Sequence, residues 1–332
     1  MTRAAPRGLV VVLAGLLAAG AAGCSAPGAS DDGAAADGSS STPLPFALDA
    51  DFPDPDVLRT GDDYFAYATN GSGFNVQVAE STDLEEWTPV AEDALPVLPA
   101  WALPGKTWAP DVSEPTPGSF VMYFTVASRS PRLQCIGVAT ATEPGGPFTP
   151  AGDAPIVCPA DEGGAIDPAT FTDDDGTRYL VWKNDGNCCG LDTWLQLARL
   201  SPDGISIVGE TSRLAMQDQA WEGNLIEAPT LVKRDDTYVL FYSANDYGGQ
   251  DYATGYATAS ELRGPYEKPD APLLSTEGTD GRYLGPGGQD IVEGPDGGDV
   301  IVFHSWDELF IERGINAAAL TWNSGVPEVV VP

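Results

Sequence analysis

The chain is 332 residues long and 42% hydrophobic, enough for a large core, and its 49 acidic against 16 basic residues give a formal net charge of −33. A surface of that sign repels phosphate backbones and anionic lipid, which argues against nucleic-acid binding and against membrane contact through the folded surface. A single histidine, His304, argues against a histidine-dependent hydrolytic triad or a multi-histidine metal centre.

At the N-terminus, Arg3 and Arg7 precede an apolar run from Leu9 to Ala22 that ends in Ala21-Ala22-Gly23-Cys24. A basic start, a short apolar stretch and small residues at a cleavage point make a secretory signal, too short for a transmembrane helix. Small residues directly before a cysteine resemble the bacterial lipobox. Residues 1–23 are therefore expected to be removed and Cys24 lipidated, with simple secretion as the alternative. Either route makes the protein extracellular, with any membrane attachment confined to the lipid. Residues 24–43 form an Ala/Gly/Ser/Asp-rich tether without apolar periodicity, and a folded domain is expected over 44–332.

From Pro53 onward, short β-rich runs recur in order, separated by Gly, Pro, Asp and Asn. DPDV (54–57) leads to YFAYAT (64–69), NVQVAES (75–81) and WTPV (87–90); WAPDV (108–112) leads to VMYFTVAS (121–128), CIGVATA (135–141) and GPFTP (146–150). A third set has IDPAT (166–170), RYLVWKN (178–184) and LQLARL (195–200). The fourth has EAPTL (227–231), YVLFYSAN (238–245), GYATAS (255–260) and GPYEK (264–268). The fifth has GGQDIV (287–292), DVIVFHSW (299–306) and NAAALTW (316–322). Units of roughly 55 to 60 residues, about four strands each, cannot bury both faces alone. Radial stacking into an all-β, five-bladed β-propeller is expected, a β-sandwich being the alternative.

With Cys24 set aside, an exported chain should pair its cysteines, and Cys135 with Cys158 would join neighbouring segments of one unit. The adjacent Cys188 and Cys189 are left open between a vicinal disulfide and two thiols.

The first strand of each blade lies nearest a propeller's axis. Aligned on their prolines, the units place Asp54, Ala109, Asp167 and Ala228 at one position, with Gly288 there in the fifth unit; Glu227 stands one residue earlier. Three acids from three blades thus approach one end of the channel. A one-residue offset reverses the face of a regular strand, so Glu227 needs a bend at the strand start to face the axis. Carboxylates across a cleft are what glycosidic cleavage requires: a protonated one donates to the leaving oxygen and an ionised one activates water. A third nearby raises the donor's pKa by like-charge repulsion. Calcium binding is the competing use of such a triplet.

The segments FPDPDVLRTGDDYFAYAT, WAPDV…VMYFT, GVATATEPGGPF, AIDPATFTDDDGTRYLVWKNDGN, IEAPTLVKRDDTYVLFYSAND and GYATASELRGPY resemble glycoside hydrolase family 43 in order and spacing, over nearly all of Phe52 to Trp322. The resemblance implies a five-bladed propeller that inverts anomeric configuration. It makes Asp54 the general base, Asp167 the carboxylate that tunes and orients the acid, and Glu227 the general acid. Inversion implies Asp54 and Glu227 carboxyls about 6.5–9.5 Å apart. It implies a pentose-containing oligosaccharide or polysaccharide as substrate. YLVWKNDGN with the QC and VC segments is most similar to exo-acting arabinofuranosidases; β-xylosidase or endo-arabinanase activity on the same acids is the alternative, and a non-catalytic carbohydrate-binding lipoprotein the rival. Family members often read Gly-Pro-Gly-His in the fifth blade, whereas this chain reads GPGGQDIV, with Gly288 at the histidine's place. No cofactor is expected, and Gly288 disfavours a channel calcium ion.

Trp108, Phe74 and Gln289 are candidate substrate contacts, with Trp101 near the same rim. Lys183 and Asn184 are candidates to meet sugar hydroxyls. Asp56 is expected to point away from the channel, Asp111 to be structural, and His304 to be a packed structural histidine. A monomer is expected.

Overall fold

The computed structural model describes residues 42–332; the expected signal segment, Cys24 and most of the tether lie outside the described residues. Frequent Pro, Gly and Asp keep the described chain in strands, broken only by the 3-10 turns Ala160–Glu162, Gly186–Cys189 and Ala220–Glu222. Blade one comprises β1 (Asp56–Thr60), β2 (Asp63–Ala68), β3 (Gln77–Ser81) and β4 (Thr88–Pro89). Blade two comprises β5 (Ala102–Thr116), β6 (Ser119–Ser128), β7 (Gln134–Ala141) and β8 (Thr149–Pro150). Blade three comprises β9 (Ala165–Thr172), β10 (Arg178–Asn184), β11 (Trp194–Leu200) and β12 (Ile207–Met216). Blade four comprises β13 (Ile226–Arg234), β14 (Thr237–Ala244) and β15 (Ala253–Ala259). Blade five comprises β16 (Leu284–Glu293), β17 (Asp299–Trp306), β18 (Arg313–Asn323) and β19 (Val326–Val330). The five sheets form the expected β-propeller.

Two details differ from the sequence pattern. GPYEK supplies no full strand, only the bridge of Thr258 with Glu267, because Pro265 and Pro269 remove ladder donors. Blade five gains β19, a hairpin partner of β18.

The middle strands explain why the blades stack. Their residues alternate between two interblade cores, the period-two rule of a strand buried on both faces. On β6, Met122 and Phe124 pack towards blade one while Tyr123 packs towards blade three. On β10, Leu180 and Trp182 face blade two and Val181 faces blade four; on β14, Tyr242 and Phe241 divide the same way. The ring closes where Val57 N donates to Asp290 Oδ2 at 2.9 Å and Tyr64 OH donates to Glu293 O at 3.0 Å.

Each inner strand begins with the same irregularity. Asp54, Ala109, Asp167, Ala228 and Gly288 have φ of 57°, 38°, 52°, 48° and 58°. At four of these positions the ladder to the next strand slips, between Trp108 and Asp111, between Glu227 and Thr230, between Gly287 and Asp290, and opposite Val181/Lys183 in blade three. A left-handed non-glycine residue costs about 1–2 kcal/mol, so ring packing must hold these four in place. The bulge supplies the bend that the offset of Glu227 requires.

Candidate active site

One end of the axis opens into a cavity of about 550 Å³, into which Asp54, Asp167, Glu227, Trp108, Lys183 and Arg313 project. The three acids proposed from sequence are thus brought together, from blades one, three and four.

Asp54 sits among donors. Thr69 Oγ1 donates to its Oδ2 at 2.6 Å, and Arg313 Nη1 lies 3.5 Å from its Oδ1. Its backbone N–H donates to His304 Nδ1 at 3.1 Å, so the neutral imidazole carries its proton on Nε2, which is buried without a partner. Burial pushes His304 down to about 3, with Arg313 adding and Asp54 opposing. Burial alone would raise Asp54, but Arg313, His304 and the Thr69 hydroxyl outweigh it and hold the carboxyl below its usual range. Because His304 is neutral at ordinary pH, Arg313 is the operative positive charge.

Asp167 behaves oppositely. Its Oδ2 accepts from Ala228 N at 3.0 Å, and its own N–H donates to Thr125 Oγ1 at 3.0 Å. Burial, then the Glu227 carboxylate, pushes it up to about 8 against the pull of Lys183, with Asp54 adding a smaller push. Asp167 therefore retains its proton near neutral pH.

Glu227 is held from both sides: Tyr252 OH donates to Oε1 at 2.9 Å and Lys183 Nζ to Oε2 at 3.1 Å. Lys183 is fully buried and also donates to Asn187 Oδ1 at 2.7 Å. The Tyr252 ring stacks on His304, centroids 5.8 Å apart and planes 7° from parallel. A chain of contacts, Asp54–His304–Tyr252–Glu227, thus ties the two outer acids together behind the cavity.

Several sequence expectations need correction. Asp56 faces the axis, not away from it: its Oδ2 accepts from Val112 N of the next blade at 2.8 Å, and it lies among Asp111 and Asp290. Residues two apart on a strand share a face, so Asp56 follows Asp54 inward. Gln289 does not line the cavity. It is 4% exposed, its Nε2 donates to Ala228 O at 2.6 Å, and its Oε1 accepts from Ser243 Oγ at 2.9 Å. Phe74 lies in the turn closed by its N–H to Gly71 O, and Trp101 packs on the core between blades one and two; neither lines the cavity. Trp108 does, half-buried, with Lys106 over its ring. Asn184 is consumed by the backbone, donating to Glu162 O and Asp192 O. His304 is packed, as expected, but against Asp54.

The residues at the axis do not suit a resident metal. A Cβ on Gly288 would lie 2.6 Å from His304 Nδ1 and 3.0 Å from Asp54 Oδ1, so the imidazole fills the place of a fifth-blade side chain, and its Nδ1 is used by Asp54. Among the described residues no cluster of three or more metal-ligating side chains is arranged around a common point.

Arg313, Tyr252 and Asp185 were not found from sequence. All three line the cavity, and Asp185 is pushed upward by burial, with Lys183 opposing and Glu227 adding. The one available signal was the lysine at the end of the apolar run YLVWKN, since a cation there needs a buried anion.

A propeller whose axial cavity sets a stabilised carboxylate, Asp54, across from a proton-retaining one, Asp167, with Glu227 beside them, has the architecture of a glycoside hydrolase. The chain belongs to glycosyl hydrolases family 43, whose model matches residues 47–327. It is 27% identical over 293 residues to extracellular endo-α-(1→5)-L-arabinanase 1 of Bacillus subtilis (strain 168), covering 82% of this chain and 86% of that protein. It is 31% identical to arabinoxylan arabinofuranohydrolase of the same organism over 63% of this chain, spanning 46% of that longer protein. A crystal structure of a thermostable family-43 glycoside hydrolase superposes with a TM-score of 0.78 at 26% identity, over 88% of this chain and 96% of that one. The protein is an enzyme that hydrolyses O-glycosyl bonds.

Proposed function

We propose that the protein is an extracellular inverting exo-glycosidase that releases terminal α-L-arabinofuranose from arabinan or arabinoxylan chains and oligosaccharides. The observation that carries this reading is the opposite electrostatic treatment of Asp54 and Asp167 around the one cavity that Glu227 also lines. Asp54, kept ionised by Arg313, takes a proton from a water as its oxygen attacks the anomeric carbon. Glu227 gives its proton to the glycosidic oxygen as that bond breaks, and Asp167 keeps the proton available to the pair. Lys183 and Tyr252 then hold the carboxylate that Glu227 becomes. The relatives named above support a pentose substrate. The protein acts as a monomer, exported and anchored through a lipid on Cys24.

The test is turnover of aryl α-L-arabinofuranosides and aryl β-D-xylosides by the soluble domain, with the first-formed anomer read by NMR. Faster arabinofuranoside cleavage with inversion is expected. Faster xyloside cleavage, or cleavage of internal linkages only, would select the β-xylosidase or endo-arabinanase alternative; binding without any turnover would select the carbohydrate-binding one.

A further inference from the structure

The turn that follows β10 is left unexplained by the chemistry above. Cys188 and Cys189 are joined to each other, both are exposed, and Cys188 lies on the wall of the cavity. Asp185, four residues before Cys189, lines the same wall half-buried, and among the described residues its carboxylate accepts no hydrogen bond. Its acceptor positions are open to the cavity and so available to a ligand's donors.

The turn is also built to be rigid. Leu191 N donates to Gly186 O at 2.9 Å, and Cys188 N to Asp185 O at 3.3 Å. Asn184 fastens its base by accepting from Trp194 N at 2.5 Å. Gly186 leaves no room for a side chain, since a Cβ there would meet the Asp192 carbonyl and Asn184 Nδ2. Preorganisation of this kind lowers the ordering cost of binding.

We infer that the Asp185–Cys189 turn is the subsite for the leaving-group sugar, with Asp185 accepting from two of its hydroxyls and the disulfide covering a C–H edge. This deepens the proposed function and rests on it. Side follows from neighbours: Lys183 Nζ donates both to Asn187 Oδ1 of this turn at 2.7 Å and to Glu227 Oε2 at 3.1 Å, the acid's side of the cavity, whereas Asp54 has Arg313 and Thr69. In an inverting enzyme the acid stands beside the leaving oxygen and the base beyond the opposite ring face, so groups clustered with the acid meet the leaving sugar. Chemistry fits as well. Paired carboxylate oxygens accept from vicinal hydroxyls, and a disulfide offers a polarisable surface without N–H or O–H donors to the apolar edge of a sugar.

The test compares 4-nitrophenyl α-L-arabinofuranoside, which has no leaving sugar, with (1→5)-linked arabinotriose, for wild type, Asp185→Asn and the double variant Cys188→Ser/Cys189→Ser. The expected result is that kcat/KM on arabinotriose falls about tenfold further than on the aryl glycoside in Asp185→Asn, chiefly through KM. A smaller loss of the same kind is expected in the double variant. An equal fall on both substrates, none on arabinotriose, or a loss on arabinotriose confined to kcat would overturn the inference, since damage to folding strikes both substrates and damage to Glu227 lowers kcat on arabinotriose. If wild type cleaves neither substrate, the proposed function fails separately. The inference is then read by calorimetric titration of arabinotriose into Glu227→Gln with and without Asp185→Asn: weaker binding by at least about fivefold sustains it, and unchanged or absent binding overturns it.

Discussion

The channel holds two tiers of acids on its inner strands, and their fates differ. The upper tier, Asp54, Asp167 and Glu227 of blades one, three and four, opens on the cavity; the lower, Asp56, Asp111 and Asp290 of blades one, two and five, lies further along the channel. Lower-tier carboxylates each accept a backbone N–H from the next blade: Asp56 from Val112, Asp111 from Thr170 at 2.9 Å, and Asp290 from Val57. Among the described residues no lysine or arginine pairs with them within salt-bridge distance, and burial raises all three, Asp111 to about 6 and Asp290 to about 7. Upper-tier acids meet Arg313 and Lys183 and are driven apart in protonation. Both tiers are carboxylates facing one channel, so the cationic partner distinguishes the proposed base and acid, Asp54 and Glu227, from the acids that fasten blades.

Breaking the upper tier should cost most. Asp54→Asn should lower kcat by about 10³ or more with every leaving group, because water loses its base. Glu227→Gln should cost about as much on oligosaccharides but clearly less on aryl glycosides, whose leaving group needs little protonation. Equal losses of Glu227→Gln on both substrates would remove it from the acid role. Asp167→Asn sharpens the comparison through pH. Asp167 must keep its proton, so activity should fall as pH rises through about 8. Asp167→Asn removes the group that titrates there, so that alkaline limb should disappear or move; an unmoved limb would show that Asp167 does not set it.

Lower-tier changes should leave activity nearly intact and act on stability. A carboxyl raised in the fold contributes fully below its unfolded pKa, near 4, and that contribution is lost as pH rises through its folded value, about 7 for Asp290. Asp290→Asn keeps an acceptor for Val57 N and should flatten this dependence, raising Tm by a few degrees at pH 8 relative to wild type and less at pH 5. Equal shifts at both pH values would show that burial of charge is not what distinguishes the tiers.

Much of the fold was legible because the blades repeat: prolines beside the axial position mark each inner strand, and the aligned acids follow from them. What stayed hidden was set by contacts between distant segments. Arg313 meets Asp54 across 259 positions, and no local pattern announces that pair. Gln289 reads as a free amide until Ser243 and the Ala228 carbonyl claim both its ends. Asp56 was legible by alternation alone; the proline beside it obscured the rule. The disulfide state of Cys188 and Cys189 depends on turn geometry that composition does not carry.

The five left-handed positions around the axis amount to interchangeable sockets. Ala109 and Ala228 share the backbone conformation of Asp54 and Asp167 yet carry only a methyl group. Function in this ring is therefore written by what is plugged into a common frame, and a duplicated blade could gain or lose a reactive group by one codon without refolding the propeller. An acid installed at Ala109 would be the direct trial of that modularity.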